Sequence, residues 1–427
     1  MKLSSLYKNK LSKHLLISLI IQGIYTVVTP LSMILLARFL GPDDFGDFAF
    51  AVSFVIIASI FSSLGLPTVV TRFGAIYFIN NNWKKLKGLL SFSNKRTLIC
   101  STIITAVLFV LLVTDVIKVA AKEYIIIALP IILFLALSTI RTGLLTAIEK
   151  VNLSQLPEMI VRPVLFFIVI LILYYSGILD GYTAIVSYMV INGIIFLIGA
   201  YLVKKFTHKS TENIEPDYSE SKPWVKSAMP LFLLGSIQVL GAQADIFLLG
   251  FLADSEEVGI FKSMYQISLL VIFSLIAVNA IVSPYIVRSF EEKNIKKLKQ
   301  LLFVFCGINF AFALVIACPF LFFGEFFIEL LYGKEFVVGV TCLQILIFGR
   351  IINSIFGISN QFLKMMGEER KATKGIFIGA VVGIILNFLL IPIYGIVGAA
   401  IASASALIIW NVYLFVITVR KIWLLKE

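Results

Sequence analysis

The stretch Asn82-Trp-Lys-Lys-Leu-Lys-Gly-Leu-Leu90 occurs a second time in the chain, as Asn294-Ile-Lys-Lys-Leu-Lys-Gln-Leu-Leu302, with seven of nine positions identical. Two further pairs of segments follow in the same order. Phe39–Phe48 resembles Leu252–Phe261, and the shorter Gly177–Gly181 resembles Gly395–Gly398. The offsets lie between 212 and 218 residues, about half of the 427-residue chain. The order and the near-constant offset indicate two similar halves.

The residues between these motifs are strongly apolar. The chain is 60% hydrophobic and only 14% charged, with a mean hydropathy of +1.01, whereas a soluble domain carries nearer a quarter charged residues. A membrane helix needs about 20 mostly apolar residues. Twelve segments meet this requirement: 14–37, 47–70, 97–115, 123–146, 156–176, 182–203, 226–250, 259–284, 300–322, 337–362, 373–392 and 396–418.

Each half therefore contains six predicted membrane helices. Because six is an even number, both halves have the same orientation, and parallel repeats are typical of transporters. We predict an all-α integral membrane protein with two parallel six-helix bundles around a central cationic cavity. The predicted divisions are residues 1–203 for the first bundle, 204–225 for a flexible cytoplasmic linker, and 226–427 for the second bundle.

The lysine-rich repeats also suggest a local structure. Apolar residues at positions 83, 86, 89 and 90 alternate with lysines, which is typical of an amphipathic helix lying on a membrane surface. The stretch Ile391-Pro-Ile-Tyr-Gly395 predicts a tight turn between the last two helices.

The distribution of basic residues predicts the orientation. With a cytoplasmic N-terminus, the cytoplasmic tails and loops hold 27 of the 36 Lys and Arg residues, and the opposite loops hold three. The positive-inside rule therefore predicts that both termini are cytoplasmic. Basic loops facing anionic lipid also account for the net charge of +12, so no nucleic-acid partner is expected.

Features of a metal site, a cofactor site or an enzyme are not expected. The cysteines lie inside apolar runs without metal-ligand spacing, and neither histidine suggests metal chemistry. We predict no metal, no cofactor and no catalytic residue. The sequence contains no GxxxxGK[ST] segment, so we expect transport to be driven by an ion gradient or by consumption of the product.

Charged residues inside the predicted helices are the candidate site. Each charge at the bilayer centre costs roughly 2.5–3.5 kcal/mol on insertion scales, so these residues must snorkel, pair or face a watery cavity. The cations are Arg38, Arg72, Arg141, Arg162, Lys262 and Arg350, and the carboxylates are Glu158 and Asp245.

The cations differ in their simplest explanation. Arg38 and Arg72 lie near helix ends, where snorkelling suffices, and Lys262 is near enough to the outer end of its helix to do the same. Arg162 follows Glu158 by four residues, which predicts an ion pair on one helix face. Arg141 has no acidic neighbour in sequence, and Arg350 lies in the middle of an apolar helix.

After the two carboxylates are subtracted, about four positive charges remain inside, which favours an anionic substrate. At an effective dielectric constant near 20, one charge pair at about 5 Å contributes roughly 3 kcal/mol. Asp245 and Glu158 are candidates for coupling to H⁺ or Na⁺. The simpler alternative is that each pairs with an intramembrane Arg or Lys, and we expect pairing for both.

Three segments together resemble a known family. They are Ala37–Phe48, the pair Asp245–Gly250 and Glu257–Phe261, and the closing Ile391–Ala402. In this order they are similar to Wzx-type O-antigen flippases of the multidrug/oligosaccharidyl-lipid/polysaccharide (MOP) exporter superfamily. The lipid II flippase branch usually carries two further helices, which this chain lacks.

The resemblance implies a flippase of lipopolysaccharide biosynthesis in the bacterial inner membrane. It implies that undecaprenyl-pyrophosphate-linked oligosaccharide moves from the cytoplasmic to the periplasmic leaflet by alternating access. The pyrophosphate would supply the anion for Arg141, Arg162 and Arg350. Membrane lipids, and the polymerase and chain-length regulator of the same pathway, are the further partners implied.

Other functions remain open at this point. A multidrug exporter of the same superfamily shares the architecture, although a cationic drug favours a cavity of the opposite charge. A membrane O-antigen polymerase usually exposes a large periplasmic loop, whereas the predicted outer loops are short. A passive channel or scaffold fits poorly with parallel repeats.

Overall fold

The computed structural model describes residues 2–211 and 214–424, and every regular element in these ranges is helical. The α-helices are α1 (Lys2–Ser63), α2 (Leu66–Ile79), α3 (Trp83–Val113), α4 (Lys122–Ala128), α5 (Pro130–Ala147), α6 (Val151–Leu156), α7 (Arg162–Tyr175), α8 (Gly181–Thr211), α9 (Ser221–Leu252), α10 (Ser255–Ser268), α11 (Phe273–Glu291), α12 (Ile295–Phe322), α13 (Gly324–Leu331), α14 (Val340–Phe356), α15 (Ile358–Met365) and α16 (Glu369–Leu424). A π-helical segment, Pro157–Val161, and two 3₁₀ segments, Leu269–Ile272 and Lys334–Gly339, join consecutive helices.

These elements correspond to the twelve predicted membrane segments. Within the described ranges, nine continuous helical stretches are long and apolar enough to cross a membrane. The number is smaller than twelve partly because α16 contains two predicted segments, and α1 contains one and most of a second, 47–70, which ends in α2. Non-helical backbone at Gly41 in α1 and at Gly395 in α16 separates the two parts. Both glycines have positive φ, 78° and 52°, a conformation that costs glycine little. The turn predicted at Gly395 is confirmed.

The lysine-rich repeats form the first turns of α3 and α12, and not separate surface helices as predicted. In each, the preceding asparagine caps the helix. Asn82 Oδ1 accepts from the backbone amide of Lys85 at 3.2 Å, and Asn294 Oδ1 accepts from that of Lys297 at 3.0 Å. The helices continue without interruption into their apolar parts, so the lysines lie at the ends of membrane helices.

The chain forms two compact units, which differ from the predicted halves. The first unit contains Met1–Leu40 and Phe50–Ser236, and the second contains Gly41–Ala49 and Ile237–Glu427. The segment Gly41–Ala49 was predicted in the first bundle but belongs to the second unit. Residues 226–236, near the start of α9, were predicted in the second bundle but belong to the first unit. Their packing within each unit explains the difference.

The segment Gly41–Ala49 belongs to the second unit because it crosses the start of α10 at very close range. A Cβ built on Gly46 would lie 1.8 Å from the carbonyl oxygen of Ser255, and one on Gly259 would lie 2.0 Å from that of Pro42. The Ser255 hydroxyl also donates to Asp47. Gly46 and Gly259 occupy equivalent positions in the two repeats, 213 residues apart, so the repeated motifs pack against each other.

The start of α9 belongs to the first unit because Trp224 is fully buried there. Its indole nitrogen donates to the Tyr77 hydroxyl at 2.9 Å. Trp224 packs in a cluster of apolar side chains from α2, α3, α5 and α8 that forms a core of this unit.

The described part of the predicted linker, residues 214–220, is held on α3. Lys87 Nζ donates to the Ile214 carbonyl at 2.9 Å, and the Asp217 amide donates to the Lys84 carbonyl at 3.1 Å. A Cβ on Gly88 would lie 1.9 Å from the Asp217 carbonyl oxygen. The linker therefore forms a strap over α3, and residues 212 and 213 lie outside the described residues.

Glu220 joins the strap to α2 and α3, and it predicts a loss of stability in acid. Lys85, as the stronger partner, and Tyr77 donate to this carboxylate and hold its pKa below the ordinary value. A carboxyl group with a lowered pKa contributes stability above its unfolded pKa of about 4.3, and this contribution disappears as the pH falls through the folded value. We expect the unfolding temperature, followed by tryptophan fluorescence, to fall more steeply below about pH 4.3 in the wild type than in Glu220→Gln. Identical pH dependence in the two proteins would show that Glu220 does not hold the strap.

The second unit has an equivalent apolar core, built from α11, α12, α15 and the end of α16. Ion pairs also connect the two ends of α16 in this unit. Glu368, just before α16, accepts from Lys371 at 3.1 Å and from Lys421 at 2.6 Å. The C-terminal helix end is thereby tied to the loop that begins α16.

Candidate functional site

The candidate site is a pocket of 290 Å³ within the second unit, between α9, α10, α14 and both parts of α16. Space for it arises where α16 carries Gly375, Gly379 and Gly383 at intervals of four residues, on one helix face. Small residues let neighbouring helices approach closely, and Gly379 and Gly383 contact Trp410 and Ala406. The polar residues that line the pocket are Gln238, Asp245, Tyr265, Arg350, Asn353, Ser403 and Trp410.

Arg350 is 6% exposed and lies in this pocket. Its Nε donates to the Ser268 hydroxyl at 3.4 Å, and its guanidinium carbon lies 4.8 Å from the centre of the Tyr265 ring. The preceding Gly349 permits close packing, because a Cβ there would lie 2.9 Å from Ala404. Among the described residues Arg350 forms no ion pair. Its charge is therefore held in place by neutral groups.

Asp245 is the second buried charge of the pocket, at 7% exposed. The Asn387 side-chain nitrogen donates to its Oδ1 at 2.7 Å, and the Ser403 hydroxyl is a further hydrogen-bond partner. The sequence favoured direct pairing with an Arg or Lys. The structure places an amide and a hydroxyl against this carboxylate, while Arg350 acts on it only as a nearby charge.

Arg141 is a candidate cation of the first unit. Its Nη1 donates to the Phe196 carbonyl at 2.6 Å, and its guanidinium lies 3.6 Å from the centre of the Phe196 ring. A Cβ built on Gly199, one turn later on α8, would lie 3.5 Å from the arginine stem, so the stem packs along α8. Desolvated cation–π contacts of this kind contribute about 2 kcal/mol, which fixes the guanidinium against α8.

Glu158 and Arg162 form the ion pair that their spacing predicted. Glu158 lies within the π-helical segment Pro157–Val161 and Arg162 follows it directly, and such single-turn insertions are frequent at functional sites. The Arg162 Nε is buried and has no hydrogen-bond partner among the described residues.

The remaining cations lie elsewhere. The side chains of Arg38 and Arg72 are exposed, and Arg72 lies 5.7 Å from the centre of the Phe73 ring. Lys262 is half-buried on α10, with neither a hydrogen bond nor an ion pair to the described part of the chain. The structure thus brings together Arg350 and Asp245 of the predicted set, and it places Arg141, Glu158 and Arg162 in the first unit.

Several partners of the two buried charges were not predicted from the sequence. Asn387 and Ser403 bind Asp245, and Tyr265 and Ser268 contact Arg350. Asn387 is detectable in retrospect, because it is a lone amide in an apolar membrane helix.

Comparison with known proteins agrees with this architecture. Residues 11–290 match the model of a family described as polysaccharide biosynthesis protein, and residues 230–389 match the MatE family. The uncharacterized membrane protein MJ1068 of Methanocaldococcus jannaschii is 23% identical over 99% of this chain and 85% of its own length. A probable low-salt glycan biosynthesis flippase, Agl15 of Haloferax volcanii, is 25% identical over 44% of this chain and 41% of its own length.

Solved structures of the MOP superfamily share the fold. The lipid II flippase MurJ in an inward closed conformation superposes with a TM-score of 0.74 at 16% identity, covering 96% of this chain and 90% of MurJ. An inward-facing multidrug resistance MATE transporter superposes with a TM-score of 0.73 at 15% identity, covering 94% and 95%. The chain therefore shares the fold of these two transporters. Since the family model spans well over half of the sequence, the chain belongs to the polysaccharide biosynthesis protein family.

Proposed function

We propose that this protein is a flippase that moves a lipid-linked oligosaccharide from the cytoplasmic to the outer leaflet of its membrane by alternating access. The observation that carries the proposal is Arg350, a buried cation with no ion pair in the described part of the chain, in a member of a polysaccharide biosynthesis family. The glycan flippase Agl15 among its relatives supports the same substrate class.

The proposed ligand of the cations is the phosphate or pyrophosphate that joins the sugar to its polyprenyl carrier. Undecaprenyl pyrophosphate carrying an O-antigen repeat unit is the bacterial case, with both termini in the cytoplasm. Within the second unit, Arg350 would donate charge-assisted hydrogen bonds to the anion. For Arg141 and Arg162 we propose the same kind of bond within the first unit. Arg162 must first leave Glu158 to do so. The polymerase and chain-length regulator of the pathway would receive the product.

We assign ion coupling to Asp245. The carboxylate is buried, it is held by neutral Asn387 and Ser403, and Arg350 is close enough to act on its charge. Binding of H⁺ or Na⁺ at Asp245 would therefore change the field at the arginine that holds the anion.

Asp245→Asn tests this assignment. We expect the variant to translocate substrate in proteoliposomes at a rate that no longer responds to a proton or sodium gradient, because the amide neither titrates nor carries charge. Translocation is measured as the fraction of lipid-linked oligosaccharide reached with time by a membrane-impermeant glycosidase. An unchanged gradient response in Asp245→Asn would remove Asp245 from the coupling mechanism.

A multidrug exporter is the second candidate, and the MatE match over residues 230–389 is the observation that favours it. The two functions differ in the sign of the charge that the substrate carries. A cell lacking the protein should show unchanged resistance to cationic drugs if it is a glycan flippase, and increased sensitivity if it is a drug exporter. A membrane polymerase, the candidate from another class, would leave translocated but unpolymerised repeat units.

A further inference from the structure

An open groove of 370 Å³ lies on the first unit between α3 and α5, apart from the pocket that contains Arg350. Ser91, Asn94, Lys95 and Leu98 of α3 and Leu137 and Arg141 of α5 line it. Two cations from different helices thus face one cavity, accompanied by an amide and a hydroxyl. At the apolar end of the groove, Leu98 is 45% exposed.

Both cations have hydrogen-bond donors to spare. A guanidinium carries five N–H donors, and the bond from Arg141 to the Phe196 carbonyl uses Nη1. Lys95 is exposed. Within the described ranges neither residue forms an ion pair. Snorkelling alone would explain one lysine, but it does not explain why a fixed arginine on a second helix lines the same groove.

Asn94 contributes an amide to the lining of the groove. Its Oδ1 is buried and has no hydrogen-bond partner among the described residues. The NH₂ end of the amide is a donor, and this is the end that would bond to an anion. An acceptor-rich ligand there would bond to Asn94, Lys95 and Arg141 together.

The depth of the groove suits a lipid headgroup. Lys95 lies twelve residues after the start of α3 at Trp83, about 18 Å along the helix, and Arg141 lies six residues before the end of α5 at Ala147, about 9 Å. Both helix ends belong to the side with the basic loops. A lysine side chain in α3 points back toward that end. Within each helix, the polar residue thus lies nearer the membrane surface and the leucine lies deeper. This order matches the headgroup and the apolar chain of a lipid molecule.

We propose that this groove binds the phosphate group of an anionic lipid, through Lys95, Arg141 and Asn94. The lipid is either a bilayer phospholipid or the polyprenyl pyrophosphate that carries the substrate, since both present the same phosphate oxygens. A bilayer phospholipid as ligand needs only the membrane location of the protein, whereas the carrier as ligand rests on the proposed function, which already assigns Arg141 to its phosphate. If the carrier is the ligand, the groove is a site of first contact in the inner leaflet.

The test is lipid binding to the full-length protein in phosphatidylcholine nanodiscs, followed by native mass spectrometry. Phosphatidylglycerol and polyprenyl pyrophosphate are titrated separately into wild type, Lys95→Gln and Arg141→Gln. Lys226→Gln is the matched control, because Lys226 is also exposed and lies near the same end of the first unit. Its substitution removes the same positive charge. Lys95 is exposed and forms no ion pair with the described residues, so Lys95→Gln is expected to fold even if Arg141→Gln does not.

We expect Lys95→Gln to weaken binding of at least one of the two lipids about tenfold, because a charge-assisted hydrogen bond is lost, and Lys226→Gln to leave binding unchanged. Weakened binding of both lipids, or of phosphatidylglycerol alone, identifies a site for bilayer lipid. Selective weakening of polyprenyl pyrophosphate binding identifies the carrier. Equal binding by wild type and Lys95→Gln, or equal weakening in Lys226→Gln, would overturn the proposal.

Discussion

Arg350→Glu is expected to abolish translocation of lipid-linked oligosaccharide while the protein still inserts into the membrane. The wild-type guanidinium supplies a buried positive charge, fixed by Ser268 and Tyr265. A glutamate there would repel the phosphate of the substrate and would also face Asp245, whose charge Arg350 now offsets. Two like charges in a medium of effective dielectric constant near 20 repel by roughly 3 kcal/mol at about 5 Å, which corresponds to more than a hundredfold in binding.

Two further variants separate transport from folding. Arg350→Lys keeps the charge but not the planar guanidinium over Tyr265, so we expect reduced but measurable translocation. Arg420→Glu reverses an exposed arginine near the end of α16 and should leave translocation unchanged. Membrane yield and the detergent-solubilised elution profile check folding for each protein. Normal translocation by well-folded Arg350→Glu would remove Arg350 from the substrate site.

Gly46→Ala and Gly259→Ala are expected to lower the stability of the protein more than any ordinary glycine substitution. The added Cβ would overlap a backbone carbonyl in each case, at 1.8 Å and 2.0 Å. Neither carbonyl can move like a side chain, so the crossing of the segment Gly41–Ala49 with α10 must open. Overpacking of this kind costs about 1–3 kcal/mol and sometimes more.

The measurement is the unfolding temperature in detergent, with Gly307→Ala as the control. Gly307 lies inside α12, and a Cβ there would meet no atom within 4 Å. Alanine at that position should be neutral or slightly stabilising, because it is the better helix former. If Gly46→Ala and Gly307→Ala unfold at the same temperature, the close crossing of the two repeats does not exist in solution.

The sequence predicted the helical class and the repeat because both depend on local patterns. Apolar length identifies membrane helices, and the repeated Asn-x-Lys-Lys-Leu-Lys segment marks equivalent helix starts. The spacing of Glu158 and Arg162 is equally local, since four residues bring two side chains together on any helix.

The unit boundaries and the partners in the pocket depend on tertiary packing, which one sequence does not reveal. Asn387 lies 142 residues from the Asp245 that it binds. The strap over α3 also depends on contacts between residues that lie far apart in the sequence. The aligned repeats have Gly88 in the first copy and Gln300 in the second. The structure explains the glycine, because the backbone of Asp217 passes directly over Gly88.

The central claim is that the protein moves lipid-linked oligosaccharide, and cells lacking it provide the most direct test. Surface polysaccharide and the lipid-linked repeat unit are followed together in the deletion strain, with the leaflet of the repeat unit read by a membrane-impermeant glycosidase. We predict loss of surface polymer and accumulation of intact single repeat units in the inner leaflet. Normal surface polymer with no accumulation, or repeat units that reach the outer leaflet, would contradict the account.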